Sequence, residues 1–212
     1  MYQAFIFDLD GTLVDSIPSI RQSWQEWCQV TNVDYHAVRK ANTGSRAADT
    51  ITKVAPYLDI EQEVSRLEQI ECSKVTQLKE IPGALSFISK LPKECWAVAT
   101  SGSLLTAQPR LAACQFPEPA ALITADQVDN GKPHPESFLR AASAMGVKCS
   151  DCLAFEDAPN GVRAALSAGC DVIVIGDRCD DIKHPNIVAR VDNFELLKLK
   201  KERYWQIEHI EP

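Results

Sequence analysis

Long apolar runs, a surplus of basic charge and clustered metal-binding cysteines are all missing from this sequence. No stretch reaches the roughly 18 consecutive apolar residues that a membrane-spanning helix needs, and Asp8 falls where the apolar segment of a secretory signal would run. Those two absences set the expectation of a cytoplasmic protein with no membrane partner. Lys and Arg number 22 against 29 Asp and Glu, leaving a net charge of −7. A nucleic-acid surface needs clustered cations to hold phosphates, so no nucleic-acid partner is expected. The eight cysteines are scattered through a chain too long to depend on disulfide staples, and they read as small buried hydrophobes. The single CxxC, Cys149 to Cys152, lacks a second CxxC or a nearby paired His, so its zinc ligand set is incomplete. It reads as a loop running into a strand.

What is present is a chain of 212 residues, 45% hydrophobic, enough for a real core in one domain or one domain with an insertion. Nothing in it requires more than a monomer. "YQAFIF" near the start is short, apolar and aromatic, which predicts a central strand buried on both faces. Four similar runs follow: "WAVAT" (Trp96 to Thr100), "AALIT" (Ala120 to Thr124), "CLAF" (Cys152 to Phe155) and "DVIVIG" (Asp171 to Gly176). Helical spacing separates them, as in Leu85, Ile88 and Leu91 or Phe138, Ala142 and Met145. Strands alternating with helices predict an α/β fold, a Rossmann-like parallel sheet covered on both faces.

Residues 15–80 interrupt that alternation. Ile17, Ile20, Trp24 and Cys28 recur at helical spacing, as do Ile60, Val64, Leu67 and Ile70, and no strand is evident. Roughly 65 such residues are too many for a βα connection, so the expected organisation is a core of residues 1–14 and 82–212 with a small helical cap over 15–81. Pro82 and Gly83 punctuate the return. The tail from Glu195 to Pro212 mixes charges with Trp205 and Ile207, which leaves a docked helix and a frayed end both open.

Chemistry gathers where strands end. Open α/β sheets bind ligands at the carboxyl edge, and there "FIFDLDGTLVDS" places Asp8 and Asp10 followed by Gly11 and Thr12. One Asp would be a turn or helix cap. Two at one strand end make a hard-cation site suited to Mg²⁺, and Gly11 lets backbone N–H groups turn toward an anion. "TSGS" after the second strand offers the hydroxyls of Thr100, Ser101 and Ser103 around Gly102; "NGKPHPE" frames Lys132 between Gly131 and Pro133, with His134 read as shaping the loop. "EDAPNG" sets Glu156 and Asp157 before a helix that should start near Pro159 and end near Gly169.

The ordered set "DLDGT", "TSGS", "GKPHPE" and "EDAPNG", with a helical insertion after the first, resembles the haloacid dehalogenase superfamily over nearly the whole chain. Within it the match is closest to bacterial sugar and hexitol phosphatases. The resemblance implies an Mg²⁺-dependent phosphatase that hydrolyses a small phosphate monoester of a sugar or polyol through an aspartyl-phosphate. Asp8 then matches the nucleophile and Asp10 the general acid and base. Asp8 and Asp157, with the backbone carbonyl of Asp10, match the metal ligands, with Glu156 as an additional or supporting contributor. Thr12, Thr100, Ser101, Gly102 and Lys132 match the phosphate-binding positions. "ANTGSRAADT" resembles the cap loop that reads the leaving alcohol, so Asn42, Ser45 and Arg46 are expected to meet substrate. The alternative is a β-phosphoglucomutase-like sugar phosphomutase. Such mutases carry a cap-hinge histidine where this chain aligns Ile20, which favours water as acceptor. A regulatory module on a reused fold would have lost some of these acids, and none is missing.

Overall fold

The structure, a computed structural model, describes residues 1–201 and 204–209. Its main sheet contains β1 (Ala4–Phe7), β2 (Trp96–Ala99), β3 (Ala121–Ile123), β4 (Cys152–Glu156), β5 (Asp171–Ile175) and β6 (Ile187–Val191). They lie in the order β3-β2-β1-β4-β5-β6, every neighbouring pair parallel. The chain runs outward from β1 through β2 to β3, then returns to the other side of β1 for β4. That reversal beside β1 opens the crevice where such sheets take ligands, beyond the strands' carboxyl ends.

The two-residue period of a strand sorts side chains to opposite faces. Phe5 and Phe7 pack on one side with Phe87, Trp96, Phe155 and Phe194; Ala4 and Ile6 pack on the other with Ala97, Phe138, Ala154 and Val162. Phe7 and Phe155, from adjacent strands, stack with ring centroids 4.6 Å apart. Both faces are dry, which is why these strands read as unbroken apolar runs.

Between β1 and β2 the chain forms α1 (Ile17–Thr31), α2 (Tyr35–Ala41), α3 (Ala47–Val54) and α4 (Ile60–Cys72), then the short α5 (Ala84–Ile88). The first four share their own hydrophobic cluster around Trp24, Trp27, Ile51 and Leu67. Trp27 donates its indole N–H to Glu63 at 2.9 Å, so the buried ring leaves no polar atom unpaired. The remaining helices, α6 (Leu104–Ala113), α7 (Glu136–Ala144) and α8 (Pro159–Ala168), follow β2, β3 and β4. Pro159 opens α8 and Gly169, at φ +93°, closes it. Among the described residues no helix is long and apolar enough to cross a membrane. Every cysteine is a free thiol, and the CxxC runs from a short turn at Cys149 into β4.

α6 stands between β2 and β3 as expected, although it carries Pro109. Two regions differ from the sequence expectation. β6 is an unforeseen sixth strand at the sheet edge, half-exposed and paired to β5 across an irregular register. The tail is neither a helix nor a frayed end: β7 (Leu197–Lys201) and β8 (Trp205–His209) pair antiparallel. Tyr2 and Trp205 exchange two backbone hydrogen bonds of 2.8 Å, and the Trp205 ring reaches Phe5 at 5.9 Å. Residues 202–203 and 210–212 of the tail lie outside the described residues.

Because Trp205 closes the floor under β1, Trp205→Ala is expected to cost about 3 kcal/mol of stability, in the range of large aromatic deletions. Urea unfolding followed by near-ultraviolet circular dichroism measures it; a change under 1 kcal/mol, roughly that of a surface site, would show the hairpin to be dispensable.

Candidate active site

Asp8 lies one residue beyond β1, yet its N–H still donates to the Phe155 carbonyl at 2.9 Å, so the sheet fixes its backbone. The chain then turns back sharply. Leu9 and Leu13 are fully buried anchors, and Gly11 adopts φ +92°, a conformation that glycine enters without penalty. A Cβ at Gly11 would stand 2.3 Å from an Asp157 carboxylate oxygen, so only glycine lets the two strand ends approach this closely. Thr12 is buried behind the turn, where its hydroxyl donates to Asp157 at 3.3 Å.

Lys132 crosses from the loop after β3 into this acidic edge. It is 4% exposed, and its ammonium donates to Asp8 Oδ1 at 2.6 Å and Glu156 Oε1 at 2.7 Å. The Phe138 ring lies beneath it at 5.2 Å. The other Glu156 oxygen accepts the N–H groups of Asp157 and Ala158 at 2.9 and 3.0 Å. Glu156 therefore has both oxygens engaged, as befits a group that braces Lys132 and the following turn. Arg178, after β5, pairs with Asp157.

Asp8, Glu156 and Asp157 bring carboxylate oxygens within 4.8 Å of one another. Three buried acids here face two cations. Burial, then repulsion from Glu156, raises the Asp8 carboxyl well above the usual range despite Lys132. Burial and Glu156 likewise push Asp157 up to about 7 against the pull of Arg178. Burial works against the Lys132 ammonium, but Asp8 and Glu156 outweigh it and hold the charge. Like charges about 4 Å apart repel by roughly 4 kcal/mol even at an effective dielectric near 20. Clustered carboxylate oxygens of this kind suit a hard divalent cation.

Asp10 turns to a different set of partners. Its Oδ1 accepts from Ser16 at 2.6 Å and its Oδ2 from Arg110 at 2.6 Å. The second arm of Arg110 donates to Glu71 at 2.7 Å. Sequence reading missed Arg110, Glu71 and Arg178. The one available signal was Arg110 itself, a single charge within the otherwise uncharged "LLTAQPRLAA".

The helical segment and the sheet edge enclose a cavity of about 450 Å³, lined by Asp8, Asp10, Asn42, Ser45, Ser101 and Arg110 among others. Thr12 and Lys132 do not line it; they stand behind Asp8. Thr100 is buried with its hydroxyl accepting the Gly102 N–H at 3.0 Å, whereas the Ser103 hydroxyl at the cavity wall has no partner among the described residues. Ser101 donates to the Gly44 carbonyl at 2.9 Å, and Asn160 donates to Ser45 Oγ at 2.8 Å. Arg46 spends its guanidinium on Asp49, at 2.8 and 2.9 Å, and on the Val128 and Asp129 carbonyls, at 3.1 and 3.2 Å. It lines the cavity, but its donors tie the loop across to the sheet side. His134 is exposed, away from these acids.

Comparison with known proteins gives this geometry its lineage. The model of haloacid dehalogenase-like hydrolases matches residues 2–169. This chain belongs to that family. Hexitol phosphatase A of Escherichia coli is 33% identical over 208 residues, covering 94% of this chain and 95% of the relative. Glycerol-1-phosphate phosphohydrolase 2 of Saccharomyces cerevisiae is 35% identical over 210 residues, covering 92% and 84%. Among solved structures, CbbY of Rhodobacter sphaeroides in complex with phosphate superposes with a TM-score of 0.80 at 25% identity, covering 92% of this chain and 95% of that one. β-Phosphoglucomutase of Clostridium difficile reaches 0.82 at 20% identity, covering 93% and 94%, a likeness of fold.

In this haloacid dehalogenase-like hydrolase Gly161 leaves the space that Glu156 occupies beside Lys132. A Cβ at Gly161 would fall 1.6 Å from Glu156 Oε1, so Gly161→Ala should drive that carboxylate off Lys132. Turnover of an aryl phosphate is expected to fall by about 10²-fold, the scale of an ångström-sized misplacement. Unchanged kcat in a folded variant would remove Glu156 from the supporting role.

Proposed function

We propose that this chain is an Mg²⁺-dependent phosphatase acting on small sugar or polyol phosphate monoesters through an aspartyl-phosphate. The observation that carries the reading is the pairing of Asp8 with the buried Lys132 ammonium at 2.6 Å, on a cavity that also exposes Asp10. The named activities of the hexitol and glycerol phosphate phosphatases support the substrate class. We divide the chain into a core of 1–14 and 82–212 and a cap of 15–81, in keeping with the separate hydrophobic cluster of α1–α4.

In this mechanism the Asp8 carboxylate attacks phosphorus and the ester P–O bond breaks. Asp10 gives its proton to the leaving alkoxide. The displacement is split into two easier steps by that covalent intermediate. Asp10 then takes a proton from water, which attacks phosphorus, releases inorganic phosphate and restores Asp8. With both oxygens accepting hydrogen bonds, Asp10 stands ready for this second step. Lys132 orients Asp8 and opposes the burial that disfavours its charge, without entering the cavity, preorganised for the displacement.

Asp8 and Asp157, with the Asp10 carbonyl, would hold Mg²⁺, whose contribution is to screen the attacking carboxylate from the phosphate charge. Glu156, its oxygens engaged by Lys132 and two backbone N–H groups, supports these ligands. Ser101 and Gly102 face the phosphate, joined by the unpartnered Ser103 hydroxyl. Thr12 and Thr100 hold the turns that present it. Asn42 and Ser45 are placed to read the alcohol, with Arg46 as the strut that carries their loop. The mutase alternative is less favoured: Ile20 lines the cavity, and no histidine does among the described residues.

Two measurements test the reading. Phosphate release from hexitol, hexose and glycerol phosphates should require Mg²⁺, stop with EDTA and disappear in Asp8→Asn; full turnover by that variant would exclude Asp8 as nucleophile. Independently of activity, saturating Mg²⁺ should raise the melting temperature, since about 2.7 kcal/mol is gained at a hundredfold excess over Kd. Asp157→Asn should lose that shift, and retention of it would place the metal elsewhere.

A further inference from the structure

Among the described residues Arg110 is the most deeply buried cation outside the Lys132 cluster, 3% exposed, and no motif in the sequence pointed to it. It projects from α6 toward two carboxylates of different origin. One arm donates to Asp10 Oδ2 at 2.6 Å, on the turn after β1, and the other to Glu71 Oε2 at 2.7 Å, near the end of α4. The Arg110 side chain is 4% exposed, and those of Asp10 and Glu71 are 16% and 13%. All three line the same cavity.

Stability alone does not account for such a triad. Removing charges from water costs several kcal/mol per ion, and buried ionic networks are often no more stable than the apolar packing that could replace them. Its geometry does explain something else. A guanidinium facing one carboxylate tends to grip both oxygens, but here Glu71 takes one arm, so Arg110 holds Asp10 through a single oxygen. The second Asp10 oxygen is left to the hydroxyl of the buried Ser16, at 2.6 Å.

We propose that Arg110 and Glu71 are a positioning pair for Asp10: Arg110 fixes the orientation of the proton-transferring carboxylate, and Glu71 keeps that grip one-armed. The proposal rests on the acid and base role given to Asp10 above. Because Glu71 comes from α4 and Asp10 and Arg110 from the sheet side, the arrangement is complete only while the helical segment lies over the sheet edge. Proton transfer is thereby tied to an enclosed cavity.

The test exploits leaving-group chemistry. Expulsion of p-nitrophenolate needs no proton, whereas expulsion of the glycerol alkoxide does, so damage to Asp10 positioning falls unequally on the two esters. Rapid mixing and acid quench would follow phosphoenzyme formation from p-nitrophenyl phosphate and from glycerol phosphate in the wild type, Glu71→Gln, Arg110→Lys and Arg110→Met. With Glu71→Gln and Arg110→Met, the first step on glycerol phosphate should slow by about tenfold to a hundredfold, a partial loss of the roughly 10²- to 10⁴-fold that general acid catalysis supplies. On p-nitrophenyl phosphate it should change by less than threefold, roughly the spread within which such contributions are not resolved, with KM for both esters preserved. Arg110→Lys, which keeps charge but not the fork, should fall between Arg110→Met and the wild type. If Arg110→Met does not fold, Glu71→Gln and Arg110→Lys carry the comparison. Equal losses on both esters, or a raised KM at unchanged kcat, would overturn the inference alone. A wild type that forms no phosphoenzyme from either ester would overturn the phosphatase reading, and this one with it.

Discussion

Everything at the sheet edge depends on one buried ammonium. Lys132 stands between Asp8 and Glu156 at 2.6 and 2.7 Å, in a place where burial disfavours its own charge and that of Asp8. Without it, three carboxylates would share a dry corner with Arg178 as the only cation in contact among the described residues. The attractions gained by a cation at hydrogen-bonding distance are of the same order as the repulsions it offsets, a few kcal/mol each. What tilts the balance is preorganisation. Glu156 is pinned by two backbone N–H groups and Asp8 by the β4 ladder, so the ammonium meets carboxylates whose positions were fixed by folding. The remaining excess of negative charge then makes the site receptive to a divalent cation.

A second constraint runs across the cavity. Ser101 reaches the Gly44 carbonyl, Asn160 reaches Ser45, and Arg46 grips carbonyls at Val128 and Asp129. These are hydrogen bonds of modest net strength, about 1 kcal/mol each. With the Arg110–Glu71 pair and the Asn160 N–H on the Thr43 carbonyl, they hold the helical segment over the sheet edge. Recognition of the alcohol and protection of the intermediate from stray water can then belong to the same closed arrangement.

The legible part of the fold was the part buried on both sides. β1, β2, β4 and β5 could be read because no polar residue interrupts their inner rungs, and the acids that end β1 and β4 stood out against that background. β6 was missed because an edge strand is half wet and its pattern fades. The β7–β8 hairpin was missed because its charged strands lack a clean alternation, and its docking rests on a bridge from Tyr2 to Trp205, more than 200 residues apart in the chain. Of the candidate site, Asp8, Asp10, Lys132, Glu156 and Asp157 were legible as residues framed by strand ends and glycines, and the structure brings Asp8, Lys132, Glu156 and Asp157 into one cluster. Arg110 and Glu71 acquire meaning only through contacts 39 and 100 positions away. No local pattern encodes that. Arg46 and Thr12 show the converse: a motif placed them near the site, while their hydrogen bonds give them supporting contacts within it.

The central claim is that Asp8, held by Lys132, becomes covalently phosphorylated. Its most direct measurement is peptide mapping by mass spectrometry after acid quench of the enzyme during turnover of a hexitol phosphate, with the acyl phosphate trapped by borohydride reduction. The account predicts modification at Asp8 and nowhere else. Reduction of another carboxyl to its alcohol, or turnover with no homoserine formed at Asp8, would contradict it.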